Sequence, residues 1–498
     1  MHNSTSDPMS DLMLVNPLFL ESDPVESRLM TPYFPLGLLY LAAVTREAGY
    51  EVTIFDAMFE EGDDAFLRAL KRERPQVVGL AVLATVREAA LRLASLAKGW
   101  GTTVIVGGAD PTARPDLYLG YETEGVFPVD VVVVGEGEET ILEILPPLLD
   151  GEEPVAALRA VEGVAFRDET GRVVGTPRRR LIQQVDELPF PARDLLDIEA
   201  YRRAWRRKHD HFSLSIIATR GCPFGCTWCQ KSVFGRSFRP RSPESVAEEM
   251  ALIKRRYQPD QIRIVDDVMG IDKDWVRFWH DAVLARDAVI PFECLSRVDL
   301  LDEEVAHLLK EVGCRQIHFG AESGSQAVLN AMNKGITVEE IDEAAELCRR
   351  MGIETYFYMM VGYPGETWSD LKRSVQLLRR TRPDDFSTTI AYPLPGTPFY
   401  EEVRDRLTFE GTGAPDWTHT AENRMLFERS GFSTHFYRRV IRWFHSEWRD
   451  ARMAADETTS PVDSLRTKAG LWRDRVLVRS LARLPRAAGS RFRPAPNE

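Results

Sequence analysis

The chain has no cysteine before residue 222 and only six among its 498 residues. A disulfide framework is therefore not expected, and a reducing compartment is the natural setting. No apolar run reaches the length a membrane-spanning helix needs, about 18 residues or more. The opening stretch, MHNSTSDPMSD, contains no apolar segment; it is not expected to act as a secretory leader, and a cytoplasmic location is expected. Positive charge is also in short supply. The formal net charge is −13, and an acidic surface repels phosphate backbones, which disfavours nucleic acid as a partner. No G-x-G-x-x-G follows the first candidate strand, which argues against a dinucleotide site. What is present is a globular composition, 44% hydrophobic and 28% charged, on a chain long enough for two or three cores.

The apolar pattern predicts an α/β protein. Residues 1–10 read as a disordered tail. Over residues 11–150, short β-branched runs at 12–15, 52–55, 77–82, 104–106 and 131–134 alternate with helical stretches at 36–48 and 88–97. This is the βαβ signature of a doubly wound, Rossmann-like parallel sheet, whose ligands sit beyond the carboxyl ends of the strands. Residues 151–211 read as a linker with a small hairpin at 163–166 and 172–174, followed by the stiff segment Leu188-Pro189-Phe190-Pro191. Residues 212–400 carry six further candidate strands, at 213–218, 262–265, 292–296, 316–319, 355–361 and 386–391. Helices fit between them; Ser242 caps one, with Pro243 in its first turn and Val246, Met250, Ile253 and Tyr257 on one face. Six such units suit a partial (β/α)6 barrel, with chemistry at the carboxyl ends of its strands. Residues 401–498 read as mostly helical and polar. Within them residues 466–493 hold nine Lys or Arg against a single acid, Asp474. Leu471, Trp472, Val476, Leu477 and Leu481 suit an amphipathic helix there, which is either a solvated tail or a surface for anionic lipid or a partner.

Three cysteines fall in the run Thr219-Arg220-Gly221-Cys222-Pro223-Phe224-Gly225-Cys226-Thr227-Trp228-Cys229, directly after a candidate strand. Gaps of three and two residues let one loop wrap three thiolates round a single metal body, and Gly221, Pro223 and Gly225 supply the unusual backbone angles. Three thiolates suit a 4Fe–4S cluster with one iron left open, whereas most electron-transfer clusters take four. Zinc held with His209 or His211 is the rival, although structural zinc usually draws paired ligands from two loops. Chance clustering of core cysteines is the remaining one. Cys294, Cys314 and Cys348 read as small apolar core residues.

This motif resembles the signature of the radical S-adenosylmethionine (SAM) superfamily, and further similarity runs from about residue 213 to 400. In that family the amino and carboxylate groups of SAM chelate the open iron, and reductive cleavage gives a 5′-deoxyadenosyl radical that removes hydrogen from substrate. The resemblance implies Cys222, Cys226 and Cys229 as cluster ligands and Trp228 near adenine. Asp266-Asp267 follow the second strand where many members have Gly-Gly-Glu. Arg297, ending the third strand, is placed to pair with the SAM carboxylate, as a guanidinium meets a carboxylate bidentately. Glu322 and Ser323, in Gly320-Ala321-Glu322-Ser323-Gly324, follow the fourth, with Glu322 placed to accept from ribose hydroxyls. Val361-Gly362-Tyr363-Pro364-Gly365-Glu366 and Pro393-Leu394-Pro395-Gly396-Thr397-Pro398 follow the last two.

The amino-terminal half resembles the cobalamin-binding domain of one large class of these enzymes. The similar stretches are Asn16-Pro17, Tyr33-Phe34-Pro35-Leu36-Gly37-Leu38, Gly107-Gly108-Ala109-Asp110-Pro111-Thr112 and Gly135-Glu136-Gly137-Glu138. The resemblance implies cobalamin contacts from Asn16, Pro17, Gly37, Gly107, Gly108, Asp110, Thr112, Gly135, Glu136 and Gly137. Cobalamin proteins with an axial histidine carry Asp-x-His-x-x-Gly, but Asp56-Ala57-Met58-Phe59-Glu60-Glu61-Gly62 has methionine in the histidine place, and Gly107-Gly108-Ala109-Asp110 lacks the histidine often seen there. Cobalamin with no protein histidine under cobalt is expected; loss of cobalamin is the alternative.

Taken together, the resemblance implies a cobalamin-dependent radical SAM methyltransferase that moves methyl to an unactivated carbon or phosphorus of a small-molecule, lipid or tetrapyrrole substrate. Its partners would be that substrate and a flavodoxin- or ferredoxin-type electron donor, with peripheral membrane contact through the basic carboxyl-terminal tail as a further option. The competing readings are an anaerobic cyclase or rearrangement enzyme with the same cofactors, and a cobalamin or iron–sulfur sensor without catalysis.

Overall fold

A computed structural model describes residues 10–150, 154–408, 427–428, 432–455 and 461–482. Of the expected tail, residues 1–9 lie outside the described residues, as does the end of the basic segment beyond 482; Ser10 already begins a strand.

Two sheets organise the chain. The first has seven strands: β1 (Ser10–Asn16), β2 (Val52–Asp56), β3 (Pro75–Ala81), β4 (Thr103–Gly107), β5 (Val131–Val133), β6 (Val164–Arg167) and β7 (Val173–Gly175). Their order is β2-β1-β3-β4-β5-β6-β7. The first five are parallel. Along β1 the side chains divide between two cores: Met13 and Val15 join Phe66, Leu93 and Val78, while Leu12 and Leu14 join Leu38, Ile141 and Ile144. Helices thus cover both faces, which is why these strands read as unbroken β-branched runs. The expected hairpin is present, but it is no free linker element. β6 pairs antiparallel with β5, Val131 opposite Phe166, and extends the sheet. Val164 and Phe166 bury in the same core as Leu12 and Leu14, and that burial draws the hairpin in. The helix Ile198–Lys208, within the expected linker, then packs Tyr201 and Trp205 into the other core.

The second sheet holds β8 (Ser213–Ile216), β11 (Gln261–Met269), β12 (Phe292–Ser296), β13 (Cys314–Glu322), β14 (Glu354–Val361) and β15 (Asp385–Ile390), in the order β15-β14-β13-β12-β11-β8 and all parallel. This is the expected open, six-stranded partial barrel. The short strands β9 (Thr219–Arg220) and β10 (Arg239–Pro240) pair antiparallel beside it. Ser242 caps the helix Pro243–Tyr257 as expected, its side chain accepting from Ser245 N, and Val246, Met250 and Ile253 are buried. On β11, Ile262 and Ile264 face those helices and are buried, whereas the opposite face is open: Val265 is 36% exposed and Asp267 is also accessible. A closed barrel fills its interior with such side chains. Here the lumen side of β11 stays accessible at Val265 and Asp267.

The helix Thr434–Ala455 packs on the helix Trp368–Thr381, Trp443 stacking on Trp368 at 5.2 Å. On the last helix, Pro461–Ala482, the buried side is Leu471, Asp474 and Val478. Trp472, expected on the apolar face, is 69% exposed, and Val476 is exposed beside it. Asp474 accounts for the rotation, because its carboxylate accepts from Ser446 Oγ at 2.6 Å. No helix among the described residues is long and apolar enough to cross a membrane.

Candidate functional site

The cysteine loop leaves β9 at Gly221 and returns at β10. Gly221 has φ +82°, and a Cβ there would be driven into Ser237 O and would stand 2.8 Å from Phe234 O, so only glycine fits. Cys222 is buried; Cys226 and Cys229 are half-buried. The loop is held at several points. Thr227 donates from N and Oγ1 to Met332 O at 3.0 and 3.1 Å, and Tyr363 Oη lies 2.6 Å from Thr227 Oγ1. Asn333 Nδ2 donates to Gly225 O at 2.8 Å and Gln230 Nε2 to Pro395 O at 3.0 Å. Lys231 Nζ donates to the carbonyls of Cys222, at 3.1 Å, and Phe224. The segments after β14 and β15 therefore brace the loop.

Burial pushes the Cys229 thiol up to about 12; Lys231 opposes this, while Asp267, Cys226 and Cys222 add to it. The three sulfurs thus feel one another, although among the described residues no three His, Cys, Asp or Glu side chains are gathered closely enough to hold one ion. A cubane takes its thiolates on separate corners, farther apart than on a single tetrahedral zinc with Zn–S about 2.3 Å. The donor set, three thiols and no fourth ligand on one braced loop, fits such a cluster. The zinc alternative does not assemble: His209 Nε2 bonds Leu29 O at 3.0 Å, and both His209 and His211 lie against Trp205, below the start of β8.

Around this loop the barrel strand ends bring together part of the expected set. Trp228 lies under Lys334, whose Nζ is 5.7 Å from the ring centroid, and Lys334 pairs with Glu322 at 3.1 Å. Glu322 holds a left-handed backbone, φ +57°, an unusual state for a non-glycine residue. Gly320 leaves room for this pair, since a Cβ there would stand 2.6 Å from Glu322 Oε1. Arg297 is already engaged. It grips Asp299 with two bonds of 2.9 Å, donates to Lys334 O at 2.8 Å, and lies 3.7 Å over the Phe224 ring. It props the cysteine loop from below. Ser323 turns away from the mouth, bonding Ser374 Oγ at 3.2 Å and accepting from Ser325 N at 3.2 Å. Lys231, Lys334 and Phe224 are the neighbours that sequence reasoning missed; nothing in their local sequence marks them.

The acidic pair after β11 splits. Asp267 faces the loop in a concave mouth: solvent reaches it, yet surrounding protein raises its carboxyl, against the opposing effects of Lys231 and the Gly221 N–H. Asp266 points the other way and is buried, with Oδ1 accepting from Ala218 N and Thr219 N at 2.7 and 3.0 Å. Burial raises it to about 7 despite those two amides. Because this lies above its ordinary 3.8, the stabilisation belongs to the protonated form: it is complete below about pH 4 and lost as pH rises through about 7. Asp266→Asn keeps an acceptor for both amides and cannot ionise. Its melting temperature should match wild type near pH 4 and exceed it by about 2–4 °C at pH 8.5 in a buffer series. Parallel curves for the two proteins would show that Asp266 does not titrate in this range.

Deeper in the lumen four side chains close a ring. Arg263 Nε is 3.0 Å from Glu293 Oε1, His318 Nε2 is 3.4 Å from Glu293 Oε2, and His318 Nδ1 is 3.1 Å from Tyr358 Oη, which Arg263 also approaches. Burial raises Glu293, but His318 and Arg263 outweigh it and hold the carboxylate below its ordinary range. Tyr356 stacks on His318 at 4.7 Å.

At the carboxyl edge of the first sheet, Asn16 Nδ2 and Tyr201 Oη donate to Asp56 at 2.8 and 2.5 Å. Pro17 is buried where β1 ends. Met58 is buried in the core among Phe55 and Phe66, so its thioether faces inward. Asp110 is also taken: Arg87 donates to it twice, at 2.6 and 2.7 Å, and Tyr118 Oη donates as well. Burial raises Asp110, yet Arg87 and Tyr118 hold it below the usual carboxylate range. Neither position offers a donor at the sheet edge. Thr112 Oγ1 accepts from Gly135 N at 3.1 Å. Gly107 lies along Val133, and Gly137 packs tightly on Leu41. Gly108 has φ +110°, and a Cβ would sit 2.6 Å from Val82 O. Gly37 and Gly135, by contrast, border open space, and Leu83, directly beyond β3, is 47% exposed. The edge is a smooth cradle of glycine and apolar side chains, which fits a flat corrin better than a charged ligand. Glu136 turns inward and binds Arg220 and Arg239.

The two ends meet. Ser232 Oγ, on the cysteine loop, donates to Ala109 O at 3.1 Å, and Arg220, the residue before Gly221, pairs with Glu136 and Glu138 at 2.9 and 2.5 Å. A molecule held over Gly108 and Gly135 therefore borders the cysteine loop.

Comparison with known proteins points the same way. The radical SAM superfamily model matches residues 216–378, and the B12 binding domain model matches residues 28–145. An uncharacterized methyltransferase of Pyrococcus horikoshii is 32% identical over 401 residues, covering 78% of this chain and 83% of that protein. An anaerobic magnesium-protoporphyrin IX monomethyl ester cyclase of Rubrivivax gelatinosus is 27% identical over 380 residues, covering 75% and 67%. Among solved structures, the radical SAM methyltransferase TsrM from Kitasatospora setae, with cobalamin and a 4Fe–4S cluster bound, shares the fold: TM-score 0.65, 21% identity, 80% of this chain and 75% of that one.

Proposed function

The chain belongs to the radical SAM superfamily, in the group carrying an amino-terminal B12-binding domain, and from that membership we propose that it is a cobalamin-dependent methyltransferase acting on a small-molecule substrate. The observation that carries the proposal is the junction just described, in which the Gly107–Gly108 and Gly135–Gly137 turns border the loop of Cys222, Cys226 and Cys229. When bound, the cluster with SAM and the cobalamin would supply radical and methyl-transfer chemistry at this junction.

The chain's own residues bind and orient. Cys222, Cys226 and Cys229 hold the cluster, and Lys231 fixes the carbonyls between them. Trp228, Lys334 and Glu322 offer SAM an aromatic face, a cation and a carboxylate within one cleft. Asp267 stands beside Cys229 as a second acceptor. Gly37, Gly108 and Gly135, with exposed Leu83 beside them, would line the corrin cradle, while Asn16 and Thr112 are spent on Asp56 and Gly135 N and Met58 and Asp110 are turned inward. Substrate would enter on the lumen side of β11 beside Val265, the apolar side chain that this face leaves accessible. A low-potential donor of flavodoxin or ferredoxin type supplies electrons. Trp472, exposed beside Arg473 and Arg479, supports contact of the last helix with an anionic surface.

Anaerobic incubation of the reconstituted protein with cobalamin, reductant and SAM bearing a trideuterated methyl group tests the reading without knowing the substrate. The label is expected in the corrin fraction, with 5′-deoxyadenosine beside it. 5′-Deoxyadenosine without transferred label would favour a cyclase like the Rubrivivax relative, and neither product would favour a sensor.

A further inference from the structure

Four buried charges join the two halves of the site. Glu136 follows β5, between Gly135 and Gly137. Its Oε1 accepts from Arg220 Nη1 at 2.9 Å and Arg239 Nη1 at 3.0 Å. Its Oε2 accepts from Arg239 Nη1 at 2.8 Å and from Ile182 N at 2.9 Å. Glu138 takes the other end of Arg220 at 2.5 Å. All four side chains are buried, and the set is neutral, two acids against two guanidinium groups. Burial works against the Arg220 charge, but the two glutamates outweigh it and hold the guanidinium well above its ordinary range. Tyr40 and Phe234 flank it at 5.2 and 5.1 Å.

The positions of the two arginines matter more than their number. Arg220 and Arg239 are direct partners in the β9–β10 ladder, so they are the two feet of the cysteine loop. Arg239 also reaches into the loop, donating to Phe234 O at 3.0 Å and Ser237 Oγ at 3.1 Å. A single carboxylate from the cobalamin side thus spans both feet of the loop that carries the cluster. A buried, charge-balanced set has few alternative arrangements, because shifting one member strands another without a partner. Ordering the glycine turn around Glu136 therefore orders the feet of the cysteine loop, and the reverse.

We propose that Glu136 is a positioning residue that couples the two cofactor sites, so that filling either one tightens binding at the other. The inference rests on the reading that these loops hold cobalamin and the cluster. Coupling of this kind is reciprocal by thermodynamic necessity, with effects of about fivefold upward typical. A purely structural tie would lower stability when cut and leave the two affinities independent.

The test uses the full chain. Hydroxocobalamin is titrated by visible absorbance into cluster-reconstituted and cluster-free protein, and cluster loss to an iron chelator is timed with and without cobalamin. Wild type should bind cobalamin about fivefold tighter or more with the cluster in place, and cobalamin should slow cluster loss by a similar factor. In Glu136→Gln both cofactors should still bind, with each ratio reduced to within about twofold of one. Should that variant not fold, Arg239→Lys, which keeps the charge and gives up the branched grip, carries the same expectation. A wild-type ratio of one, or a wild-type ratio surviving in the folded variant, overturns the proposal. Failure of wild type to take up either cofactor would speak against the proposed function, not the coupling.

Discussion

Cys226→Ala is expected to bind cobalamin still, about fivefold more weakly as cluster-free wild type does, while losing the cluster absorbance and at least about a thousandfold of SAM cleavage. The size follows from the ligand count. Three thiols on one loop leave none to spare, and the other three cysteines, Cys294, Cys314 and Cys348, are buried in the main core among helices and strands. None can swing in as a substitute. Cys226 is also the safest of the ligands to remove, being half-buried, whereas Cys222 is packed behind the loop. The loop's shape does not depend on the Cys226 sulfur, because Thr227, Asn333, Gln230 and Lys231 hold its backbone. The measurement is anaerobic absorbance and EPR with chromatographic assay of 5′-deoxyadenosine. Cleavage near the wild-type rate would mean the cluster does not sit here.

Gly108→Val should give the mirror image, a protein with its cluster and a cobalamin affinity lowered by about a hundredfold or more. Two effects add. The residue holds φ +110°, where a β-branched side chain is strained by roughly 1–3 kcal/mol. Its Cβ would also stand 2.6 Å from Val82 O and 3.0 Å from Val82 N, and backbone atoms cannot rotate aside. The turn must therefore shift, and with it the edge that faces the corrin. The cysteine loop touches this turn through Ser232, a single hydrogen bond to Ala109 O, so cluster content should fall little. Visible spectroscopy after cobalamin reconstitution, with iron and sulfide counted on the same sample, separates the two contents. An unchanged cobalamin affinity would place the corrin elsewhere.

Much of the fold was legible because its signals are local. The strand at 292–296 was expected at the bounds it has, since Phe292 and Cys294 bury on one side, Pro291 stops it on one end and the charged Arg297 follows it on the other. The cysteine motif was legible for the same reason: three ligands on one loop need no knowledge of the rest of the chain. The hairpin at 164–175 shows the limit. Its two strands could be read, but not that they would join β5, because a short strand's partner is chosen by distant burial. Side-chain direction was the other blind spot. The glycine turns marked where backbone comes near a ligand, yet Asp110 turned to Arg87, 23 residues away, and Glu136 to Arg239, 103 residues away. Ser323 likewise went to Ser374. Arg297, expected at the SAM carboxylate, spends its donors on Asp299 and Lys334 O because a buried guanidinium must be satisfied wherever partners are nearest.

The accessible lumen face at Val265 bears on how such a chain can change over time. Residues packed between strand and helix cannot alter in volume without destabilising the fold. A wall position that solvent already reaches, as at Val265, carries no such constraint. Replacements there should leave folding and cofactor loading intact while reshaping what the cavity admits, so one scaffold can be adapted to a new molecule through a handful of tolerated substitutions.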